Sequence, residues 1–332
     1  MILTKTPLRV SLVGGGTDLY PFYHNHGGGK VVSFTINKYV YILVNKPMED
    51  KVRVSYSKTE NVKLARDVEH ELVRACLKKM RIHNNIEIVS VADIPGSGSG
   101  LGSSSAFTVG LLNALTQFKI KNGMDYWSID LAEEACDVEI EMCGKPIGKQ
   151  DQYACAYGGF NMFEFHPGGD VEVRRIGLTP ELLEELNKRL MLFYTGITRP
   201  SDPILRDQNV NIKSTINTYQ IMEAMRNLAQ KTYEELLLGN ISCIGDALYL
   251  NWSLKKQLAD GITNDQIDDW YNTGLRHGAV GGKVLGAGGG GFMLFYVPKD
   301  RQKEVLDHMP LKHVPFKIVS EGSRVIYPGM EE

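Results

Sequence analysis

Cysteine is scarce in this sequence of 332 residues and shows no pairing pattern. The five cysteines are odd in number and include no Cys-x-x-Cys pair, which argues against a disulfide framework and the common structural zinc motifs. No His-x-x-x-His pair occurs, and His24-Asn-His26 fits a polar loop better than a metal site. We therefore expect a reduced protein without structural zinc.

Long hydrophobic runs and a strong excess of one charge are also absent. The most apolar predicted helix contains Asn113 and Gln117, and the first residues lack the apolar core and cleavage site of a secretion signal. The net charge of −2 gives no sign of a DNA-binding surface or a polybasic membrane patch. We expect a cytoplasmic protein with neither nucleic acid nor membrane as a partner.

Glycine and serine, by contrast, are concentrated in one short segment, Pro95–Ser105. Residues 96–105 contain four glycines and five serines, between a predicted strand at 86–92 and a predicted apolar helix. The N–H groups at a helix start have no intrahelical partner and lie at the positive end of the helix dipole. A flexible loop at such a place is suited to bind phosphate.

Two common phosphate-binding motifs do not fit this loop. A Walker loop needs a lysine, but residues 95–105 contain no basic residue, and the glycines lack the spacing of a dinucleotide-binding turn. Backbone dipoles must then hold the phosphate, which leaves the hydroxyls of Ser103, Ser104 and Ser105 for phosphate or Mg²⁺. The alternative is a plain Gly/Ser linker, which would have polar flanks instead of a strand and an apolar helix.

Two further segments contain candidate catalytic side chains. Pro7–Asp18 is a predicted strand followed by three glycines and a carboxylate, and Asp137–Gln152 is a predicted helix end followed by Gly-x-Pro-x-Gly and Asp151. Taken alone, Asp18 could cap a helix and Arg9 could be a surface cation. Together with the loop at residues 95–105, these segments supply the phosphate cradle and the two carboxylates that phosphoryl transfer needs. One carboxylate would bind Mg²⁺, and the other would lie near the acceptor hydroxyl.

Three acids compete for the metal. Glu139 is our first choice, with Glu141 and Asp137 as alternatives. On an α-helix Glu141 points about 200° away from Glu139, so only one of these two can face the site.

The remaining pattern predicts a mixed α/β chain of two domains, residues 1–178 and 179–332. Predicted strands lie at 8–13, 31–44, 52–56, 160–165, 171–176, 190–194, 292–296 and 316–319. Predicted helices lie at 68–80, 105–118, 128–142, 181–188, 207–236, 240–258 and 264–277.

A second glycine loop, Gly281–Gly291, precedes the strand at 292–296. Its four consecutive glycines exceed the need of one tight turn, so we expect the backbone there to pass close to another loop or a ligand. A β-bulge or hairpin is the alternative.

These segments resemble the motifs of the GHMP kinase superfamily over nearly the whole chain. Residues 7–18 resemble its first motif, residues 95–104 match its phosphate loop through Gly-Leu-Gly-Ser-Ser, and residues 283–291 resemble its third motif. The resemblance implies an α/β (α+β) fold with an N-terminal ribosomal-protein-S5-like domain and a C-terminal ferredoxin-like domain. The active site would lie in the cleft between them, with ATP and Mg²⁺ as cofactors.

The resemblance also implies roles for named residues. Asp151 would be the catalytic carboxylate, with Arg9 beside it, and Ser104 and Glu139 would bind the metal. The nucleotide would bind Pro95, Gly96, Ser97, Gly98, Ser99, Gly100, Leu101, Gly102, Ser103, Ser104 and Ser105. The other substrate would bind Gly14, Gly15, Gly16, Thr17, Asp18, Lys283, Gly288, Gly289 and Gly290.

Within the superfamily, the sugar-1-kinases are most similar. Galactokinases have Glu-His where this chain has Gly15-Gly16, which removes two side chains from the sugar pocket. With these two glycines and with residues 194–199, the sequence resembles the heptose 7-phosphate kinases. This resemblance implies a phosphorylated sugar as the second substrate.

The phosphate of such a sugar needs a basic partner. Lys145, Lys149, Arg199 and Arg206 lie in or near the predicted substrate loops, although each alone could be a surface cation. We assign Arg199 first and Lys149 second. A kinase of unphosphorylated fucose or galactose and a non-catalytic sugar sensor remain alternatives, and a homodimer remains open.

Overall fold

The computed structural model describes residues 1–95, 98–124, 130–198, 202–214 and 216–329. Three residues that the sequence assigns to the site, Gly96, Ser97 and Arg199, lie outside the described residues.

Thirteen strands run through the described residues. In chain order they are β1 (Ile2–Val13), β2 (Gly29–Asn45), β3 (Val52–Ser55), β4 (Thr59–Val62), β5 (Ile86–Ala92), β6 (Phe160–Phe165), β7 (Val171–Arg175), β8 (Leu190–Tyr194), β9 (Gly281–Val284), β10 (Phe292–Tyr296), β11 (Lys312–His313), β12 (Ile318–Val319) and β13 (Arg324–Tyr327).

The strands form two sheets. The larger sheet has the order β13-β1-β2-β5-β3-β4, with β6 and β12 also paired to β2 and β7 paired to β6. Its centre is the antiparallel pair of β1 and β2, in which Leu8 lies opposite Ile36. The smaller sheet is antiparallel throughout, in the order β11-β8-β10-β9.

Eleven α-helices accompany the sheets within the described residues. They are α1 (Tyr20–Asn25), α2 (Glu71–Lys79), α3 (Ser103–Lys121), α4 (Leu131–Cys136), α5 (Gln150–Tyr157), α6 (Pro180–Arg189), α7 (Asp202–Ser214), α8 (Ile216–Leu237), α9 (Cys243–Lys255), α10 (Asp265–Arg276) and α11 (Gln302–His308). A π-helix, Asp137–Met142, continues α4 directly. In the described chain, no helix is both long and apolar enough for a membrane span.

Helix α3 lies at the centre of the first half. It packs on β1 and β2 and against α2, α4 and α5, so most of its residues are buried. A helix that is apolar on all sides is stable only when it is enclosed in this way. This enclosure holds the loop before α3 against the rest of the site.

The expected mixed α/β architecture is confirmed, with differences in detail. The stretch predicted as one helix at 207–236 is helical on both sides of residue 215, which lies outside the described residues, and the helix predicted at 128–142 ends as the π-helix. Helix α5 is not among the predicted helices, because the Gly-x-Pro-x-Gly segment just before it predicts a turn.

The end of the chain returns to the first sheet. Strand β12 pairs with β2, and β13 pairs with the outer edge of β1. The division into residues 1–178 and 179–332 stays a prediction, and residues 318–327 pair with strands of the first part.

Candidate active site

A cavity of about 930 Å³ lies where the three glycine-containing segments meet. Its walls come from β1 and the turn after it, the loop before α3, the start of α5, helix α7, the end of α9 and the loop between β9 and β10. The fold therefore brings together the segments that the sequence singled out.

The phosphate loop leads directly into α3. Gly102 precedes the helix with a left-handed φ of 74°, and no side chain caps the first turn. The first N–H groups of α3 therefore remain suited to bind an anion. The predicted nucleotide-binding residues that line the cavity are Gly98, Ser99, Gly100, Gly102, Ser103, Ser104 and Ser105, whereas Pro95 and Leu101 do not line it.

The predicted pair of Arg9 and Asp151 is present at the base of the cavity. Arg9 Nε donates to Asp151 Oδ1 and Nη2 donates to Oδ2, both at 2.7 Å. The remaining nitrogen, Nη1, donates to the Gly100 carbonyl oxygen at 2.7 Å. Such a two-point contact fixes the plane of the carboxylate and ties it to the phosphate loop. Asp151 keeps 29% of its side chain exposed on the cavity side.

Glu139 lies behind the phosphate loop and is fully buried. Its Oε1 accepts hydrogen bonds from Ser104 (3.0 Å) and Thr108 (2.9 Å), and its Oε2 accepts from Ser105 (2.7 Å) and Gln152. Burial raises the pKa of Glu139, and these four donors oppose the rise. The alternative ligand Glu141 is exposed, which agrees with the first choice of Glu139.

The donor set at this point suits Mg²⁺. The Ser104 hydroxyl is exposed towards the cavity and adjoins a carboxylate oxygen of Glu139, and hard oxygen ligands of this kind are those that Mg²⁺ prefers. A hydroxyl that now donates to Glu139 could turn its lone pair towards a cation. The residues present therefore fit the metal that the sequence analysis expects.

Asp18 faces the same cavity from the glycine turn after β1. Its Oδ1 accepts from the Gly16 N–H at 2.9 Å, and its Oδ2 accepts from the Gln150 N–H at 3.2 Å. Burial raises the pKa of Asp18, and the negative charge of Asp151 acts in the same direction. Of the neighbouring predicted residues, Gly15 and Gly16 line the cavity. Thr17 is buried instead, and its hydroxyl donates to backbone carbonyls.

The second glycine loop lies against the phosphate loop, as expected from its composition. A Cβ on Gly286 would lie 2.5 Å from the Cα of Gly100, and one on Gly291 would lie 2.4 Å from the Ser99 carbonyl oxygen. Of the predicted positions 288–291, Gly291 makes this contact, and Gly288 and Gly290 line the cavity. A Cβ on Gly288 or Gly290 would instead meet the carbonyl oxygens of Ile262 and Ile197.

Several predicted substrate residues lie outside the cavity lining. Lys283 is fully buried, and its Nζ donates to the Leu12 carbonyl oxygen at 3.0 Å. Lys149 donates to the Gly169 carbonyl oxygen at 2.7 Å, away from the cavity. Gly14 and Gly289 also lie behind the surface.

Lys255 and Gln208 are among the cavity residues that the sequence analysis did not name. Lys255, the last residue of α9, and Gln208 on α7 both line the cavity and are nearly fully buried. The Gln208 Nε2 atom has no hydrogen-bond partner in the described part of the chain. Neither residue belongs to a glycine-rich motif. The only signal that the sequence offers is that each is a polar residue on the predicted inward face of a helix.

The other end of the cavity is more apolar. Tyr56, His70, Phe107, Val91 and Ile94 contribute to this end. The ring of His70 stacks on Phe107 at 5.1 Å, and burial lowers the pKa of His70, which favours the neutral imidazole. Such a surface suits a flat heteroaromatic ring.

This arrangement is typical of a kinase: a helix start that suits phosphate, an acidic site that suits Mg²⁺, and an arginine-oriented carboxylate in the cavity wall. Family models support this class directly. Residues 70–159 match the model of the GHMP kinases N-terminal domain, and residues 232–314 match that of the GHMP kinases C-terminal region. The chain belongs to the GHMP kinases, has their two-domain fold, and is an ATP-dependent kinase.

Individual relatives cover nearly the whole chain. A D-glycero-alpha-D-manno-heptose 7-phosphate kinase of Campylobacter jejuni is 29% identical over 323 residues, which span 92% of each chain. A crystal structure of a putative sugar kinase from Campylobacter jejuni matches with a TM-score of 0.76 and 27% identity, over 98% of this chain and 97% of the other. A D-glycero-D-manno-heptose 1-phosphate kinase of Bacteroides thetaiotaomicron matches with a TM-score of 0.80 and 24% identity, over 98% and 99%.

Proposed function

We propose that this sugar kinase transfers the γ-phosphoryl group of ATP to the anomeric hydroxyl of D-glycero-D-manno-heptose 7-phosphate. The product is heptose 1,7-bisphosphate, an intermediate of GDP-heptose synthesis for surface polysaccharide. The observation that carries the chemistry is the ion pair of Arg9 and Asp151 beneath the phosphate loop. The similarity to a heptose 7-phosphate kinase over 92% of both chains supports the choice of sugar.

In this mechanism Asp151 accepts the proton of the acceptor hydroxyl. Arg9 holds both of its oxygens, so the carboxylate keeps one orientation while the sugar oxygen attacks phosphorus. A positioned base of this kind contributes about 10²–10⁴-fold to a rate.

The phosphates of ATP bind at the start of α3. The first turn of the helix has no side-chain cap, and Ser103 and Ser104 line the cavity, so the N–H groups and hydroxyls there can hold anionic oxygens. Ser104 and Glu139 would hold Mg²⁺, which neutralises phosphate charge when bound. The base of the nucleotide lies at the apolar end, against Tyr56 and Phe107.

The sugar occupies the part of the cavity between Asp18 and α7. Asp18 accepts hydrogen bonds from sugar hydroxyls, and Gly15 and Gly16 leave room because they carry no side chain. Arg199 remains our proposed partner for the 7-phosphate.

One observation favours the unphosphorylated sugar as a second candidate substrate. Of the described lysines that line the cavity, Lys145 is paired with Glu71 at 2.7 Å and Lys255 is buried. The described lining therefore offers no exposed, unpaired lysine to a second phosphate.

A substrate panel tests the proposal. ADP release should be measured with heptose 7-phosphate, the same heptose without its phosphate, fucose, galactose and mevalonate. We expect heptose 7-phosphate to give the highest kcat/KM, at least tenfold above the dephosphorylated heptose. Equal use of the two heptoses would mean that the 7-phosphate is not recognised, and a preference for fucose or galactose would establish the second candidate.

A further inference from the structure

Lys255 is a buried cation in the wall of the cavity. Only 5% of the residue is exposed, and its Nζ donates to the Gly286 carbonyl oxygen at 2.5 Å. No carboxylate oxygen of the described residues lies within the 4.0 Å of an ion pair. A buried charge without a counter-ion is costly, so a site that retains one is expected to use it.

The surroundings of Lys255 place it between the donor and acceptor sides of the site. Gly286, its hydrogen-bond partner, touches the backbone of Gly100 in the phosphate loop. On the other side, the carboxylates of Asp18 and Asp151 are close enough to Lys255 to influence its ionisation. The transferred group must cross this same region.

The phosphate loop itself supplies no side-chain cation to the transferred group. Residues 95–105 contain no basic side chain. Arg9 is engaged with Asp151 and Gly100, and Lys145 is engaged with Glu71. Lys255 is thus the described cavity lysine whose charge has no paired carboxylate.

We propose that the Lys255 ammonium contacts the phosphoryl group during transfer and stabilises its negative charge. The proposal rests on the proposed function for ATP as the donor and for Asp151 as the proton acceptor, but not for the identity of the sugar. The acceptor hydroxyl oxygen forms a bond to the γ-phosphorus while the bond from that phosphorus to the β–γ bridging oxygen breaks. The electron pair leaves with ADP, and the hydroxyl proton goes to Asp151. Lys255 exchanges no proton or electron in this step and acts by charge alone.

The charge of Lys255 gives the proposal a pH signature. Burial lowers the pKa of Lys255 to about 8, with Arg9 acting in the same direction and Asp18 and Asp151 opposing it. Lys283, buried nearby, is also influenced by the charge of Lys255. Lys255 is charged below this pKa, so kcat/KM, which reports the groups of the free enzyme, should fall as the pH rises through about 8.

The test compares Lys255→Met and Lys255→Arg with Lys256→Met. Lys256 is the matched control because it is the next residue along the chain and does not line the cavity. Its Nζ lies 3.6 Å from Oδ1 of Asp268. Calorimetry should measure binding of ADP and of the non-hydrolysable analogue adenylyl imidodiphosphate, both with Mg²⁺ and without sugar. For Lys255→Met we expect affinity for the analogue to fall about tenfold relative to ADP, a typical effect of one contact to a charged group.

Kinetics and stability complete the test, with whichever sugar the wild type uses best. We expect kcat of Lys255→Met to fall about 100-fold or more, with KM for the sugar little changed. Lys255→Arg should retain part of the rate and lose the decline near pH 8.

The proposal is overturned if Lys255→Met weakens the binding of ADP and of the analogue equally, or if it raises only KM for the sugar. A fall in melting temperature with unchanged kcat would likewise overturn it, because Lys255 would then only hold the Gly286 loop. The binding arm needs no sugar, so a wrong sugar in the proposed function leaves this test valid.

Discussion

At the scale of single residues, the central geometric feature is the bidentate contact of Arg9 with Asp151. The sequence suggested this pair through its resemblance to the GHMP kinase motifs, because Arg9 taken alone could be a surface cation. Lys255 could not be found in the same way, since it lies in Lys255-Lys256 at a helix end. Two adjacent lysines at a helix end are typical of a solvated surface. Only the fold shows that Lys255 lines the cavity and Lys256 does not.

Asp151→Asn should remove turnover without unfolding the protein. The amide can neither accept the hydroxyl proton nor keep both contacts with Arg9, so we expect kcat to fall by at least 100-fold. Binding of ATP, measured by calorimetry, should change less than threefold. Asp50→Asn, at an exposed loop position, is the control and should behave as wild type. If Asp151→Asn kept more than about a tenth of the activity, Asp151 would position the sugar without acting as a base.

A comparison of Ser104→Ala with Ser105→Ala should distinguish binding of the metal from hydrogen bonding to the Glu139 carboxylate. Both hydroxyls donate to Glu139, but Ser104 is exposed while Ser105 is buried. We expect Ser104→Ala to raise the Mg²⁺ concentration for half-maximal activity about tenfold at nearly unchanged stability, by the loss of one metal ligand.

Ser105→Ala should instead lower the free energy of unfolding by about 1 kcal/mol, because it removes a buried hydrogen bond. Its Mg²⁺ dependence should stay close to that of wild type. Magnesium titrations and urea unfolding of the two variants check this pair of expectations. The same Mg²⁺ dependence in Ser104→Ala and wild type would exclude Ser104 as a ligand.

At the scale of elements, the sequence predicted most strands and helices but not their local irregularities. Apolar periodicity cannot distinguish an α-helix from the π-helix at 137–142, because its 6 residues make little more than one turn and are too few to define a period. Helix α5 was missed because glycine and proline lie just before it, although Asp151 belongs to its first turn. The glycine content of the second loop did predict a close approach of backbone.

Gly286→Ala should disturb the contact between the two glycine loops. A Cβ there would lie 2.5 Å from the Cα of Gly100, and the φ of +69° is itself unfavourable for alanine. Because the displaced loops carry the phosphate cradle, we expect KM for ATP to rise about tenfold or more, and stability to fall by about 1–3 kcal/mol. Gly177→Ala, where a Cβ meets nothing within 4 Å, is the matched control. Wild-type kinetics in Gly286→Ala would show that the loops do not depend on this contact.

At the scale of the whole molecule, the path of the last strands could not be predicted from the sequence. The pairing of β13 with β1 joins residues more than 300 positions apart, as in Leu3 opposite Tyr327, and no local pattern specifies such a partner. Side chains strengthen the connection: the Ser323 hydroxyl lies 2.8 Å from that of Thr6 and accepts from Asn113 at 3.1 Å. The first part of the chain is therefore completed by its last residues.

Residues 1–178 alone should consequently be unstable. Without β12 and β13, the edge of β1 loses its partner, and Thr6 and Asn113 lose contacts that lie largely out of water. We expect this fragment to lack a cooperative thermal transition by circular dichroism, and to recover one when residues 315–329 are fused to its end through a flexible linker. The same fusion with the order of residues 315–329 scrambled is the control. A cooperative transition of residues 1–178 alone, within a few degrees of the fused form, would show that the returning strands cover a part that already folds by itself.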